Sequence, residues 1–262
     1  MKKSIKKALR SSKARYVTSK MGKTKAIEVK EELRKHVPVT KRMTAATLQT
    51  MLEQYKMVYV KPNVGMFGNG VIRVEQVEDE GEQSYTYQAG TRLQKFKTFS
   101  TMYASLHKLT NKRPYLVQKG IHLLRYKGNR FDLRVMVQMT PHRNWETTGI
   151  IGRVAHPSKI VTNFHNGGKL KSVDTLLLKY LPATERRGYV KQLQVLGVKV
   201  ANAINARYKG VKEIGVDVAL DHDLFPWILE VNTSPDPYIF RVLKDKRIYA
   251  KIRRYGKAYG RL

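Results

Sequence analysis

Hydrophobic and polar positions in the first half of the chain follow helical and strand patterns in turn. From Thr44 to Tyr55, apolar residues recur every three or four positions, which predicts an amphipathic helix. The next run, from Met57 to Pro62, carries Val and Tyr at close spacing and predicts a strand. The same reasoning predicts strands at 71–74, 84–88 and 115–118 and a helix at 99–109.

The second half of the chain is richer in strand patterns. Residues 131–139 alternate between apolar and polar types, residues 147–154 form a further candidate strand, and a helical apolar stripe runs from Val190 to Ile204. Two more strands carry Asp217 and Glu230. Helices and strands are mixed and many strands are hairpin-linked, which favours an α+β fold with antiparallel sheets over a doubly wound fold.

A glycine-rich loop follows the predicted strand that ends at Lys61-Pro62. Its glycines, Gly65, Gly68 and Gly70, have the order G-x-x-G-x-G. No Gly-Lys-Ser/Thr follows, and the next segment is a strand, so the loop is neither a P-loop nor a dinucleotide-binding turn. It is either an ordinary hairpin turn or a flexible hairpin that closes over phosphates, for which Lys61 would supply a positive charge.

Three oxygen donors lie on the two strands near the end of the chain. Glu230 and Asn232 are two positions apart and therefore point to the same face of their strand. A paired strand brings Asp217 beside them. Two carboxylates and an amide oxygen suit a hard cation such as Mg²⁺. The alternative is a strand edge with solvated acids.

Basic and amide side chains occupy the segments before these strands. Arg134 shares a strand face with Asp132, Arg153 ends another strand, and Asn163 lies in a loop that contains Gly167-Gly168. Each arginine taken alone fits a solvated surface role. Beside a cation site and a phosphate loop, these groups are candidates for stabilising the charge of a transferring phosphoryl group.

Composition limits the classes of protein that this chain can belong to. Its 262 residues, 42% of them hydrophobic, are enough to bury a sizeable core. The absence of cysteine excludes disulfides, thiolate nucleophiles and Cys-ligated metal sites. No apolar run approaches the length of a membrane span, and no secretory h-region follows the basic start. We therefore expect an intracellular, cytoplasmic protein without a membrane span.

Positive charge dominates the sequence, with a formal net charge of +31. Ten basic residues and no acid occur in the first 25 positions, and nine basic residues accompany Asp245 in 241–262. Such a charge attracts polyanions, including nucleic acid and acidic peptides, without specificity. A purely solubilising role for these segments is the alternative.

Taken in order, the motifs resemble the ATP-grasp superfamily, and within it the YheC/YheD branch of endospore coat-associated proteins. The resemblance covers roughly 37–240. It is carried by Lys61-Pro62-Asn63, Gly70-Val71, Tyr115 to Ile121, Phe131 to Arg134, Arg153, Asn163, Gly167-Gly168, Asp217 and Glu230 to Asn232.

The resemblance implies an ATP-grasp fold, in which two α+β subdomains clasp ATP between antiparallel sheets. Residues 37–120 would form the smaller nucleotide-clasping subdomain and 121–240 the metal and substrate subdomain. Residues 1–36 would then be a basic leader and 241–262 a basic tail. ATP-grasp ligases usually carry a substrate-binding domain before the nucleotide half. In this sequence, only the basic residues 1–36 precede the matching region. We therefore expect part of the acceptor site to be absent, supplied by a partner or replaced by the leader.

The resemblance also assigns roles to individual residues. Phosphates would be contacted by Lys61 with Gly65, Gly68 and Gly70, and the adenine hinge would be formed by Gln118, Lys119 and Ile121. One or two Mg²⁺ ions would be held by Asp217, Glu230 and Asn232. The catalytic residues facing the γ-phosphate and the acyl phosphate would be Arg134, Arg153 and Asn163.

The reaction implied is ATP-dependent formation of an amide from a carboxylate and an amine through an acyl phosphate. The substrates are unknown, and the excess positive charge suits an acidic peptide or protein in an endospore coat context. Alternatives are an ATP-grasp kinase, an inactive ATP-grasp scaffold of the coat, and a nucleic-acid binder that acts through the basic segments.

Overall fold

The computed structural model describes residues 15–65, 68–111, 113–160, 162 and 167–262. Its helices in chain order are α1 (Lys20–Glu28), α2 (Glu31–Arg34), α3 (Ala45–Tyr55), α4 (Phe99–Thr110), α5 (Val173–Leu177), α6 (Ala183–Arg207) and α7 (Lys246–Ala258). A 3₁₀ helix covers Tyr238–Val242. The strands are β1 (Thr40–Arg42), β2 (Met57–Pro62), β3 (Ile72–Asp79), β4 (Glu82–Ala89), β5 (Arg92–Phe96), β6 (Tyr115–Lys119), β7 (Arg125–Tyr126), β8 (Asn129–Met139), β9 (Trp145–Val154), β10 (Lys169–Lys171), β11 (Glu213–Leu220) and β12 (Pro226–Asn232).

The chain divides into two compact units. Unit 2 comprises Pro38–His122 and Ala155–Gly168. Unit 1 comprises the described residues up to Val37 together with Leu123–Val154 and Lys169–Leu262. This division differs from the predicted leader, subdomains and tail, because both basic end segments contribute helices that pack within unit 1.

Unit 2 is built on a six-stranded antiparallel sheet with the strand order β1-β6-β2-β3-β4-β5. Helix α3 packs against β2, β3 and β6, and α4 packs against β4 and β5. Helix α3 begins at a capping box, in which the Thr44 hydroxyl accepts the Thr47 backbone N–H and the Thr47 hydroxyl accepts that of Thr44. The sheet and both helices enclose an apolar core that includes Leu48, Val58 and Leu106.

Unit 1 is built on a second antiparallel sheet, with the order β10-β9-β8-β11-β12. One face of this sheet is covered by α6, which approaches closely because Gly197 lies against Val135 and Val137 of β8. On the opposite face, Met136 and Ile151 pack against Phe240 and Ile252, which belong to the 3₁₀ helix and α7. The antiparallel pairing throughout both sheets confirms the predicted α+β fold.

The C-terminal segment that was predicted as a basic tail is tied to unit 1 through a buried acid. Glu213, at the start of β11, is 4% exposed. The Tyr259 hydroxyl donates to its Oε2 at 2.7 Å, and Arg261 Nε donates to its Oε1 at 2.8 Å. The Arg261–Glu213 contact therefore uses part of the positive charge of this segment to attach the residues after α7 to β11.

Helix α1 lies in the segment that was predicted to be a basic leader. Its buried residues are Lys20, Lys23, Ala26 and Ile27. Lysines occupy half of these buried positions, so hydrophobic periodicity could not reveal the helix. In the described part of the chain, no helix is both long enough and apolar enough to cross a membrane.

Candidate functional site

A row of charged side chains crosses one face of the unit 1 sheet. Strand register places Arg153 opposite Asp132, Arg134 opposite Asp217, and Asp217 opposite Glu230. Because Asp132 and Arg134 are two positions apart on β8, their side chains share a face. The structure thus brings these residues together, and we call this set the charged row.

A register shift in β12 allows Glu230 to join the charged row. Val218 of β11 pairs with Ile228, whereas the preceding residue, Asp217, pairs with Glu230, so Leu229 is an extra residue in β12. This bulge keeps Ile228 in the core while Glu230 faces Asp217. Asn232 pairs with Gly215 and so lies on the same face.

The two arginines of the charged row are both held by carboxylates. Arg153 donates to both oxygens of Asp132, at 2.8 and 2.6 Å. Arg134 donates to both oxygens of Asp217, at 2.5 and 3.2 Å. Arg153 also reaches Asp217 Oδ2 at 3.0 Å, which links the two pairs into one network. Planar two-point pairing of this kind fixes the guanidinium orientation.

Burial and charge pairing act in opposite directions on the protonation of this network. Burial would raise the pKa of Asp217, but the positive charges of Arg134 and Arg153 outweigh burial and lower that pKa to about 2. Burial would likewise lower the pKa of Arg153, but the carboxylates of Asp132 and Asp217 raise it above its ordinary value. Asp217 and Arg153 are therefore both charged near neutral pH.

Gly215 leaves the space in which the Arg134 side chain lies. A Cβ at position 215 would sit 2.8 Å from Arg134 Cδ and 2.8 Å from the Cβ of Pro235. A larger residue at this position would force the Arg134 side chain or Pro235 to shift. The glycine directly before Val216 and Asp217 therefore has a role in the site, and the sequence analysis did not assign one to it.

Glu230 forms an ion pair with Lys20, a residue that was not predicted to belong to the site. Lys20, the first residue of α1, donates to Glu230 Oε1 at 2.7 Å. Lys20 is 7% exposed, and Lys23, one turn later, is 5% exposed. Burial lowers the pKa of Lys23 to about 8. Two buried lysines thus face the end of the charged row that carries Glu230.

The candidate metal ligands are brought together, and their chemistry fits Mg²⁺. Asp217 and Glu230 supply carboxylate oxygens and Asn232 an amide oxygen, which is the donor type that Mg²⁺ prefers. Asn232 Nδ2 lies 3.4 Å from Asp217 Oδ2, so the amide and the carboxylate are adjacent. Among the described residues, no group of three or more His, Cys, Asp or Glu is placed to hold a metal, so a cation at this position would need the Asn232 amide as a further ligand.

In unit 2, the candidate phosphate-binding lysine lies on the inner strand β2. Lys61 is 7% exposed, and its Nζ donates to Gln118 Oε1 at 2.8 Å. Gln118 Nε2 in turn donates to the Thr40 hydroxyl at 3.0 Å. The chain of contacts joins two predicted nucleotide-binding residues across neighbouring strands and fixes the orientation of the Lys61 ammonium group.

The glycine-rich loop joins β2 to its antiparallel neighbour β3, so it is a β-hairpin loop as predicted. Gly68 and Gly70 have φ angles of 73° and 75°, a region that favours glycine. Both glycines line a cavity of about 410 Å³ within unit 2, together with the basic residues Arg113 and Lys159. Gly65 is exposed. Arg113 and Lys159 were not identified from the sequence, because only the fold brings them to the loop.

The predicted adenine hinge follows directly from Gln118 at the end of β6. Lys119 Nζ lies 5.3 Å from the centre of the Tyr55 ring, and Ile121 is 5% exposed. Between them, Gly120 allows close packing, since a Cβ there would overlap the sulfur of Met57 at 1.9 Å. Asn163, the remaining predicted catalytic residue, lies outside the described residues.

Comparisons with known proteins agree with these observations. The model of the YheC/D-like ATP-grasp family matches residues 13–262. The endospore coat-associated protein YheD of Bacillus subtilis is 27% identical over 188 residues, which is 71% of this chain and 41% of YheD. The endospore coat-associated protein YheC of the same organism is 24% identical over 190 residues, which is 72% of this chain and 51% of YheC. The matched regions thus span about half the length of these relatives or less.

Proposed function

The chain belongs to the YheC/D-like ATP-grasp family, and from this premise we propose that it is an ATP- and Mg²⁺-dependent carboxylate–amine ligase. ATP transfers its γ-phosphoryl group to a carboxylate, which gives an acyl phosphate and releases ADP. An amine then attacks the acyl carbon, loses a proton and displaces phosphate as the amide forms. The observation that carries the proposal is the charged row, in which two arginines, two aspartates and Glu230 line one sheet face.

The arginines of the charged row are suited to a reaction in which negative charge develops on a phosphoryl group. Phosphoryl transfer needs positioning and charge neutralisation more than it needs a protein nucleophile. Asp132 and Asp217 hold Arg153 and Arg134 in fixed orientations, so little reorganisation is required when the charge develops. As the resemblance implies, Asn163 would face the γ-phosphate and the acyl phosphate and could donate an uncharged hydrogen bond to them.

Asp217, Glu230 and Asn232 would hold Mg²⁺ in this proposal. The bound ion would supply positive charge that neutralises the nucleotide phosphates. Arg134 and Arg153 keep Asp217 ionised near neutral pH, and the ion would share the Asp217 carboxylate with these two guanidinium groups.

Nucleotide binding in unit 2 would depend on Lys61 and the glycine-rich loop. The Lys61 ammonium, held by Gln118, is a point charge suited to a phosphate oxygen. The loop glycines Gly65, Gly68 and Gly70 would let backbone N–H groups approach phosphates closely. Gln118, Lys119 and Ile121 would then contact adenine.

The net charge and the two relatives bear on the chemistry and the context of the acceptor. The net charge of +31 favours an acceptor rich in carboxylates, such as an acidic peptide or protein. Because YheC and YheD are both named endospore coat-associated proteins, we place the acceptor in an endospore coat context.

ADP release measured over a panel of acidic peptides and amines tests the proposal. We expect release that requires both a carboxylate and an amine, with an amide product detected by mass spectrometry. The variant Asp217→Asn, checked for folding by circular dichroism, should release ADP at least about a hundredfold more slowly. A phosphorylated product that persists without an amine would identify a kinase instead. ATP binding without turnover under any condition would indicate a scaffold.

A further inference from the structure

The ion pair between Lys20 and Glu230 places a cation of the protein at the candidate cation site. Lys20 Nζ and Glu230 Oε1 are 2.7 Å apart, with side-chain exposures of 8% and 24%. A lysine that is buried to this extent is unusual unless it is paired. Because its partner, Glu230, is a candidate metal ligand, Lys20 bears on cation binding as well as on the packing of α1.

The local structure directs Lys20 to this position. The backbone N–H of Val17 donates to the Thr233 hydroxyl at 2.8 Å, which attaches the chain just before α1 to the residue that follows β12. The Ser19 hydroxyl then caps α1 by accepting the Gly22 N–H at 3.1 Å. Helix α1 consequently begins next to β12, and its first residue reaches Glu230 from there.

The balance of charge around the row leaves no excess of negative charge for a divalent ion. Three carboxylates, those of Asp132, Asp217 and Glu230, are bonded to three basic groups, Arg153, Arg134 and Lys20, and the buried Lys23 faces the same end of the row. The arginines are locked to the two aspartates by two-point hydrogen bonds, whereas Lys20 contacts Glu230 through a single flexible ammonium group. Of the three basic groups, Lys20 is therefore the one that can leave most readily.

We propose that the Lys20 ammonium takes the place of a divalent cation at Glu230, and that a divalent ion binds there only by displacing it. Two cations on one carboxylate repel each other, so binding of one weakens binding of the other. This inference rests on the proposed function and deepens it, because it concerns the same cation site and makes α1 part of that site.

Binding of Mn²⁺, used alone as a spectroscopic stand-in for Mg²⁺, tests the competition. In Lys20→Met, which keeps the aliphatic stem and removes the charge, we expect the Kd for Mn²⁺ measured by electron paramagnetic resonance to fall about tenfold. Lys20→Arg, which keeps the charge, should bind Mn²⁺ as weakly as the wild type. Lys25→Met is the matched control, because Lys25 is an exposed lysine of the same helix. Adding Glu230→Gln to Lys20→Met should abolish the gain.

Equal Mn²⁺ affinity in the wild type and Lys20→Met would overturn the inference, as would an equal gain in Lys25→Met. A second measurement uses the wild type and does not depend on the folding of any variant. Acetic anhydride should label Lys20 slowly without metal and faster with millimolar MnCl₂, while labelling of Lys25 stays constant. Labelling of Lys20 that does not respond to Mn²⁺ would contradict displacement.

Nucleotide binding by the same proteins separates this inference from the proposed function. If the wild type binds ATP but Lys20→Met gains no Mn²⁺ affinity, the inference fails and the proposed function stands. If Lys20→Met gains Mn²⁺ affinity and none of the proteins binds ATP, the inference stands and the proposed function fails.

Discussion

At the scale of single residues, the candidate site consists of charged groups, most of them buried, that are held by partners. Buried ion pairs are costly to form, and removing one partner leaves an uncompensated charge in the interior. The pairs of the charged row, and the Lys61–Gln118 contact in unit 2, therefore fix side-chain positions at the cost of stability. Such an arrangement is expected where orientation of charge matters for function.

Lys61→Met should weaken ATP binding while unit 2 keeps its fold. A hydrogen bond to a charged group contributes about 1.5–3 kcal/mol, so we expect the Kd for ATP to rise roughly tenfold to a hundredfold. Calorimetric titration measures the change. Lys41→Met, at an exposed position of β1 in the same sheet, is the control and should bind ATP like the wild type. An unchanged affinity in Lys61→Met would remove Lys61 from the phosphate site.

His36 should make the stability of the fold depend on pH in the mildly acidic range. Burial lowers the pKa of His36 below its ordinary value of 6.5, although its Nδ1 lies 2.8 Å from the Pro226 carbonyl oxygen. The unfolded chain therefore binds the proton more readily, and the free energy of unfolding falls as pH drops below about 6.5. Urea denaturation at about pH 7.5 and about pH 5.5 measures this fall. His36→Asn, which keeps an N–H donor but does not titrate, should show a smaller fall, and an identical one would refute the assignment.

At the scale of secondary-structure elements, two glycines of unit 1 differ in what surrounds them. Gly215 of β11 is confined by Arg134 and Pro235, whereas Gly188 of α6 has open space where a Cβ would lie. The same substitution at the two positions therefore separates the effect of crowding from the effect of backbone entropy.

Gly215→Ala should destabilise unit 1 and disturb the Arg134–Asp217 pair. Overpacking of this kind costs about 1–3 kcal/mol, so the midpoint of urea denaturation should fall. Gly188→Ala should instead raise stability by up to about 1 kcal/mol, because alanine is the better helix former. Equal effects at both positions would contradict the packing of Arg134 over Gly215.

The elements also show how much the sequence could predict and why. Apolar patterns predicted α3, α4, α6 and the longer sheet strands because each of these elements buries an apolar face. The short strands β1, β7 and β10 and the largely exposed β5 were not predicted. The period of two along β12 placed Glu230 and Asn232 on one face, and pairing with β11 added Asp217, as the structure has it. Helix α1 was missed because its buried face carries Lys20 and Lys23. Their environment depends on tertiary packing, which a local pattern does not contain.

At the scale of the whole molecule, the net charge of +31 sets a large self-repulsion against the packing of both units. Some of the positive charge is neutralised internally, as in the contacts of Glu213 with Arg261 and of Glu146 with Lys251. Most of it has no acidic counterpart, since 20 acids face 51 basic residues. Polyanion binding and sensitivity to salt are the expected consequences.

The melting temperature should therefore rise as NaCl is increased from very low concentration to about 0.15 M. Salt screens repulsion among exposed charges that lie more than a Debye length of about 8 Å apart, while buried pairs such as Arg153–Asp132 are screened much less. Differential scanning fluorimetry measures the shift. A melting temperature that falls over this range would show that exposed ion pairs outweigh the self-repulsion.

The most direct test of the central claim is calorimetric titration of ATP into the full chain, with and without Mg²⁺, for the wild type and Glu230→Ala. The proposed ATP-dependent ligase should bind ATP in the micromolar range, with affinity that requires Mg²⁺ and falls in the variant. A folded wild-type protein that binds no ATP under either condition would contradict the claim and leave a basic scaffold as the better description.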